Sequence, residues 1–99
     1  MNINKIQNGD KTTFALSGRL NTLTAPQLQE MLVAEFDSAK HVELDFSELA
    51  FISSAGLRVL ILGRETANVK GGQLTITHVS EAIREVLEMA GVTKVLNIE

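Results

Sequence analysis

The sequence predicts an α/β domain with two layers, a mixed five-stranded sheet and helices mainly on one of its faces. Segments of period two alternate with segments of helical period in the order β-β-α-β-α-β-α-β. Apolar and polar residues alternate within the predicted strands, which indicates that only one face of the sheet is covered. The connections are short and contain no Pro/Gly/Ser-rich linker, so residues 1–99 are predicted to form a single domain.

The first two strands are predicted to form an antiparallel hairpin. Segments 2–7 and 12–17 flank Asn8-Gly9, a dipeptide that tolerates the positive φ angles of a tight turn. In the second segment apolar residues alternate with small and polar ones, so one face of this strand is expected to be buried. A loop over residues 18–21 then leads to the first helix.

The first helix is predicted to begin at a capping box, because Thr24 and Gln27 have the required spacing. Leu23 and Leu28 flank this position as the two residues of a hydrophobic staple would. We expect the helix to continue to about residue 38.

The central part of the chain is predicted to be a strand followed by a long helix. Residues 42–46 alternate apolar and acidic side chains, whereas residues 47–49 break the alternation, so a loop is predicted over 47–53. Helical spacing then predicts a helix from Ser54 to about Lys70, ended by Gly71-Gly72. The residues expected to pack together are Leu57, Leu60 and Ile61 of this helix and Leu44, Phe46, Leu74 and Ile76 of the sheet.

The remaining elements continue the same order. A strand is predicted over residues 73–77, a helix capped by Ser80 follows, and a last strand covers about residues 94–98. Gly91 is expected to end that helix. Its inner side is expected to contain Ile83, Val86, Leu87 and Ala90.

Right-handed connections place the carboxyl ends of the parallel strands at one edge of the sheet, where ligands of open α/β sheets bind. The predicted loops at this edge cover residues 18–23, 47–53 and 77–79. We therefore expect Asn21, Thr22 and Ser54 to lie near one another.

Ser54 is the residue that this arrangement singles out. Its hydroxyl would lie at the positive end of the central helix, where a phosphate is stabilised. Gly56 is expected to leave room for close approach of a partner. Helix capping alone also explains the pair Ser53-Ser54.

Composition argues against several classes of function. The net charge of −3, from 9 basic and 12 acidic residues, and the absence of Trp and Tyr disfavour nucleic-acid binding. There is no cysteine, and the two histidines and the carboxylates lack metal-ligand spacing, so we expect no metal or cofactor. No apolar run is long enough for membrane insertion, and no leader precedes the domain, so a cytoplasmic protein is expected.

A serine hydrolase is the enzymatic alternative. Ser54-Ala55-Gly56 matches the second half of a nucleophile elbow, but Ile52 stands where the first glycine should be. His78 is expected at the same edge, yet no acid between Ser54 and His78 is well placed to orient its imidazole. The sequence therefore favours a protein that is not an enzyme.

The run DFSELAFISSAGLRVL, from Asp45 to Leu60, resembles the central motif of the STAS family, which includes the anti-sigma-factor antagonists. The run GRLNTLTAPQL, from Gly18 to Leu28, is similar to the β2–α1 region of that family. Gly71-Gly72 precedes a strand, as it does in the family. The resemblance covers nearly the whole chain.

This resemblance implies a switch. In the antagonists, a serine at the position of Ser54 is phosphorylated by an anti-sigma factor that is itself an ATP-binding serine kinase, and a phosphatase reverses the modification. The unmodified antagonist binds the anti-sigma factor and releases the sigma factor. Ser54 is thus the expected phosphorylation site, with Ser53 as second choice. The expected partner-binding residues are Asn21, Thr22, Ser53, Ser54, Gly56 and Arg58.

The chain departs from the family at two of these positions. Ser53 stands where the family usually has Asp directly before the serine, and Asn21 stands where an Asp is common in the β2–α1 loop. Both changes remove a carboxylate from beside Ser54. The alternative function is an accessory STAS subunit of a membrane transporter or sensory assembly, which requires no phosphorylation.

Overall fold

A five-stranded mixed sheet forms one layer of the computed structural model, which describes residues 1–99. The strands lie in sequence order across the sheet; the first pair is antiparallel and the others are parallel. The elements are β1 (Asn2–Asn8), β2 (Lys11–Leu20), α1 (Ala25–Glu35), β3 (His41–Ile52), α2 (Ser54–Lys70), β4 (Gln73–Thr77), α3 (Glu81–Met89) and β5 (Asn97–Ile98). The predicted fold class and the N-terminal hairpin are confirmed, but the two turn residues are Gly9-Asp10 and not Asn8-Gly9, because Asn8 pairs with Lys11.

β2 and β3 are longer than the sequence predicts, and this difference brings the site together. The loops predicted to begin at residues 18 and 47 are wrong, because the two strands stay paired as far as Leu20 and Ile52. The register shifts between Ala15 and Ser17 and again between Gly18 and Arg19, where β3 contributes extra residues. Such bulges interrupt the period-two pattern without ending the strand.

One hydrophobic core of 22 buried residues lies between the sheet and the helices. Leu60 and the four predicted sheet residues are buried, as expected. Leu57 and Ile61 are only partly buried, so the predicted packing face of α2 is rotated away from the observed one. The buried residues of α2 are Gly56, Val59, Leu60, Gly63 and Ala67.

Two glycines explain this rotation. A β-carbon at Gly63 would lie 2.5 Å from Leu32 Cδ2, and one at Gly56 would lie 2.8 Å from both Leu20 Cγ and Ile52 Cγ1. These separations are far below van der Waals contact, so α2 approaches its neighbours through residues that have no side chain. Glycine has no apolar side chain, so the spacing of hydrophobic residues in the sequence does not identify it as a packing residue.

The ends of α1 and α3 also differ from the predictions. Leu23 is 89% exposed, so the hydrophobic staple is not formed. Val86 and Ala90 are exposed, and only Ile83 and Leu87 bury the inner side of α3. The last strand is limited to β5, because the preceding residues form turns.

The predicted cap of α3 is confirmed, since the Ser80 hydroxyl accepts a hydrogen bond from the Ile83 N–H at 3.2 Å. Gly91 follows the helix with a φ of 73°, as expected for a residue that ends it.

A carboxylate ties the hairpin to α1. Glu35 is 6% exposed, and it accepts a hydrogen bond of 2.7 Å from Thr12 Oγ1. Its other oxygen pairs with Lys5 Nζ at 2.9 Å. Burial alone would raise the pKa of Glu35. The hydrogen bonds from Thr12 and Lys5 outweigh that effect and hold the pKa of Glu35 below its ordinary value.

The core assignment predicts that Leu60→Ala lowers the free energy of unfolding by about 2–5 kcal/mol, because apolar burial is lost and a cavity remains. Val69→Ala is the matched control in α2, since Val69 is 84% exposed. Thermal and denaturant unfolding measure both variants. Equal melting temperatures for the two variants would contradict the assignment.

Candidate functional site

The site lies where β2 and β3 end and α2 begins. Beyond Asp45, which pairs with Thr77, β3 has no neighbour in β4. Beyond Ser17, the last residue of β2 that pairs with β1, β2 and β3 continue as a two-stranded ribbon. The Ser53 N–H donates a hydrogen bond of 2.9 Å to the carbonyl of Leu20, the last residue of β2. This bond fixes the first turn of α2 at the tip of the ribbon.

The two serines at this tip have different roles. Ser53 is the N-cap, with extended φ and ψ of −102° and 176°, and its hydroxyl accepts from the Gly56 N–H at 3.5 Å. Ser54 is the first residue of α2; it is exposed and its hydroxyl makes no hydrogen bond within the chain. The first turn contains no acidic residue. The Ser54 hydroxyl is therefore free and lies at the positive end of the helix.

Asn21 organises the neighbouring loop between β2 and α1. Its Oδ1 accepts hydrogen bonds from the N–H groups of Leu23 at 3.0 Å and Thr24 at 3.1 Å. Thr24 Oγ1 turns back, accepting from the Asn21 N–H at 2.9 Å and donating to the Arg19 carbonyl at 2.8 Å. The predicted capping box is thus wrong, because the Thr24 hydroxyl makes no capping bond within α1. This network leaves Thr22 exposed at the tip of the loop.

A groove of about 360 Å³ between α1 and α2 joins this loop to the exposed side of α2. It brings together Thr22 and Arg58, two of the predicted partner-binding residues. Gly56, which was also predicted to contact the partner, is buried against the sheet. The residues that line the groove are Thr22, Ala25, Pro26, Gln29, Ala55, Arg58, Val59 and Leu62.

Sequence reasoning missed the α1 side of this groove. Pro26 and Gln29 are exposed on the first turns of α1, and Leu62 of α2 is half-buried opposite them. An apolar residue outside the buried stripe of a helix is a weak signal, since single exposed apolar residues are common.

Arg58 is the free cation of the site. It is exposed and takes part in none of the salt bridges of the chain. Arg19, at the end of β2, lies over the ring of Phe51 at 4.1 Å from its centroid and is engaged there. Arg58 therefore remains available for an anion.

His78 has an acid partner that the sequence did not predict. Its Nδ1 lies 3.1 Å from Asp45 Oδ1, the oxygen that accepts from the Ser47 N–H at 2.9 Å. Burial would raise the pKa of Asp45, but the Ser47 hydrogen bonds and His78 outweigh it and hold the value below 3.8. His78 makes no hydrogen bond to Ser54, so the pair does not activate that hydroxyl for hydrolysis.

No cluster of three or more His, Cys, Asp or Glu residues could hold a metal ion. None of the helices has both the length and the apolar character needed to cross a bilayer.

Comparison with known proteins agrees with this geometry. The family model described as "Mlab, STAS domain" matches residues 3–97. The chain belongs to the STAS-domain family. Members of this family that act as anti-sigma-factor antagonists are regulatory proteins and not enzymes.

The relatives of this STAS domain bear related names. BtrV of Bordetella bronchiseptica, provisionally named an anti-sigma factor antagonist, is 38% identical over 77 residues, 77% of this chain and 66% of BtrV. The chain thus spans slightly less than two thirds of that relative. An anti-sigma factor antagonist from Mycobacterium paratuberculosis has the same fold, with a TM-score of 0.86 and 22% identity over 98% of this chain and 83% of that one.

SpoIIAA, an anti-sigma factor antagonist from Bacillus, is a third similar structure. Its unphosphorylated form covers 99% of this chain and 87% of its own, with a TM-score of 0.78 and 13% identity. Its phosphorylated form covers 99% and 91%, with a TM-score of 0.77 and 14% identity. The fold of this STAS domain is therefore equally close to both forms.

The roles of the two serines can be separated by stability measurements. Ser53→Ala should lower the free energy of unfolding by about 0.5–1 kcal/mol, the low end for a lost N-cap, because its hydrogen bond is long. Ser54→Ala should change it by less than about 0.5 kcal/mol, as expected for an exposed side chain without partners. Urea unfolding measures both. The reverse order of the two effects would assign the cap to Ser54.

Proposed function

We propose that this chain is an anti-sigma-factor antagonist that phosphorylation of Ser54 switches off. The observation that carries the proposal is the free, exposed hydroxyl of Ser54 at the positive end of α2, beside the groove that contains Arg58. The names of BtrV and SpoIIAA support the same class of partner. The partner is an anti-sigma factor with serine kinase activity, which binds the ATP, and a phosphatase restores the unmodified chain in the cytoplasm.

The partner is expected to dock on two adjoining surfaces. A protein–protein interface typically buries about 800 Å² on each side, which is more than one loop supplies. The tip with Thr22, Ser53 and Ser54 adjoins the α1–α2 groove, and together they provide a continuous surface. Arg58 would pair there with a carboxylate of the partner, and the apolar floor around Ala55 would receive an aliphatic side chain.

Phosphorylation is expected to act on docking and leave the fold unchanged. Phosphate adds about −1.5 to −2 charges to a surface that must lose water against a partner. Placed at the start of a helix it does not oppose the helix dipole. This fold is equally similar to the unphosphorylated and the phosphorylated form of SpoIIAA, which supports a phosphorylation that leaves the fold unchanged.

Ser53 is the second candidate for phosphorylation, because its hydroxyl already accepts a hydrogen bond as the helix cap. It is also half-buried, whereas Ser54 is exposed. A kinase must draw its target hydroxyl into its own active site, and only Ser54 can move there without giving up a hydrogen bond.

The test incubates the chain with its cognate anti-sigma kinase and ATP, locates phosphate by mass spectrometry and measures affinity by calorimetry. Phosphate should appear on Ser54 and weaken binding about ten- to a hundredfold. Ser54→Asp should reproduce part of the loss, and Ser54→Ala should bind constitutively. Ser38→Ala, at an exposed serine near the opposite edge, is the control and should behave as wild type.

Two outcomes would overturn parts of this proposal. Phosphate on Ser53 would move the switch by one residue. Absence of phosphate, with a kinase shown to be active, would reject the switch and favour the accessory subunit of a transporter or sensory assembly.

A further inference from the structure

Arg58 lies one helical turn beyond Ser54 on the exposed side of α2. We propose that phosphate on Ser54 is bound by Arg58 of the same helix, so that modification also removes the cation with which the partner pairs. This inference rests on the proposed function and adds a mechanism to it: the switched-off state is held by an intramolecular ion pair.

The helix geometry favours this pair. Side chains four residues apart lie on the same side of a helix, with β-carbons about 5–6 Å apart. Ser54 and Arg58 are both within α2, and both are exposed. An anion on the N-terminal side of a cation is the more favourable order. A guanidinium can bind two phosphate oxygens at once, which adds to the strength of the pair.

The surroundings leave Arg58 free to act in this way. It has no salt bridge in the unmodified chain, and there is no acidic residue between Glu48 and Glu65 to compete for it. The other three arginines are less suitable. Arg19 stacks on Phe51, Arg64 lies almost three turns from Ser54, and Arg84 belongs to another helix, α3.

The pair explains how one modification has two effects on docking. The added charge repels an acidic group of the partner, and the same group loses its cation because Arg58 turns toward the phosphate. A single exposed charge on Ser54 would produce only the first effect. The loss of affinity on phosphorylation should therefore depend on Arg58.

The direct test places phosphoserine at position 54 during synthesis, so no kinase is needed. Phosphorus NMR then measures the second pKa of the phosphate in the full chain, in Arg58→Gln and in the control Arg64→Gln. Loss of the pair should raise that pKa by roughly 0.3–0.7 unit in Arg58→Gln, with a much smaller change in Arg64→Gln. Equal changes in the two variants would overturn the pair, as would a larger change in Arg19→Gln.

A second measurement connects the pair to docking. Phosphoserine at position 54 should weaken binding to the anti-sigma factor less in Arg58→Gln than in the wild type, measured as a ratio of Kd values. Equal ratios would overturn the role of Arg58 in the switch. If the unmodified wild type did not bind an anti-sigma factor at all, the proposed function would fail, and the phosphorus NMR result would still decide the pair. Thermal melting checks that the exposed substitution leaves the fold intact.

Discussion

The close approach of the first turn of α2 to the end of the β2–β3 ribbon is the constraint on which the site depends. Gly56 has no β-carbon, so its backbone can lie directly against Leu20 and Ile52. With that side of the helix against the sheet, Ser54 and Arg58 are held on the outer side. A larger residue at position 56 would have to displace the ribbon or the helix. The edge that contains Ser53 and Ser54 would then move as well. Packing at a buried glycine thus sets the direction of an exposed hydroxyl.

Most polar groups at this edge have partners within the chain, but two of them do not. Ser53 caps α2, Asn21 and Thr24 satisfy the backbone of the next loop, and Asp45 is occupied by Ser47 and His78. Each of these side chains would lose hydrogen bonds if it were drawn into a partner. The Ser54 hydroxyl and the Arg58 guanidinium would not, which makes them the groups best able to change partners. A switch needs such groups, since its two states must differ little in the energy of the fold.

Much of the fold and the key serine could be predicted from the sequence, because they depend on local patterns. Asn8-Gly9 predicts the hairpin and the apolar alternation of residues 42–46 predicts the central strand. The start of the helix at Ser54 follows from its periodicity. The bulges of β3 could not be predicted, because they depend on pairing with β2 across the sheet. The packing role of Gly63 likewise depends on neighbours that are distant in sequence. The hydrogen bonds of Asn21 depend on a choice between equivalent local partners, which the sequence does not decide.

NMR mapping of the isotope-labelled chain, as unmodified anti-sigma factor is added, would show directly whether the partner docks at the edge that contains Ser54. The amide signals that shift should belong to Thr22, to the first two turns of α2 and to the α1 side of the groove. Phosphoserine at position 54 should abolish those shifts at the same partner concentration. Shifts centred instead on the Gly9-Asp10 turn, at the opposite edge of the sheet, would show that the partner docks elsewhere.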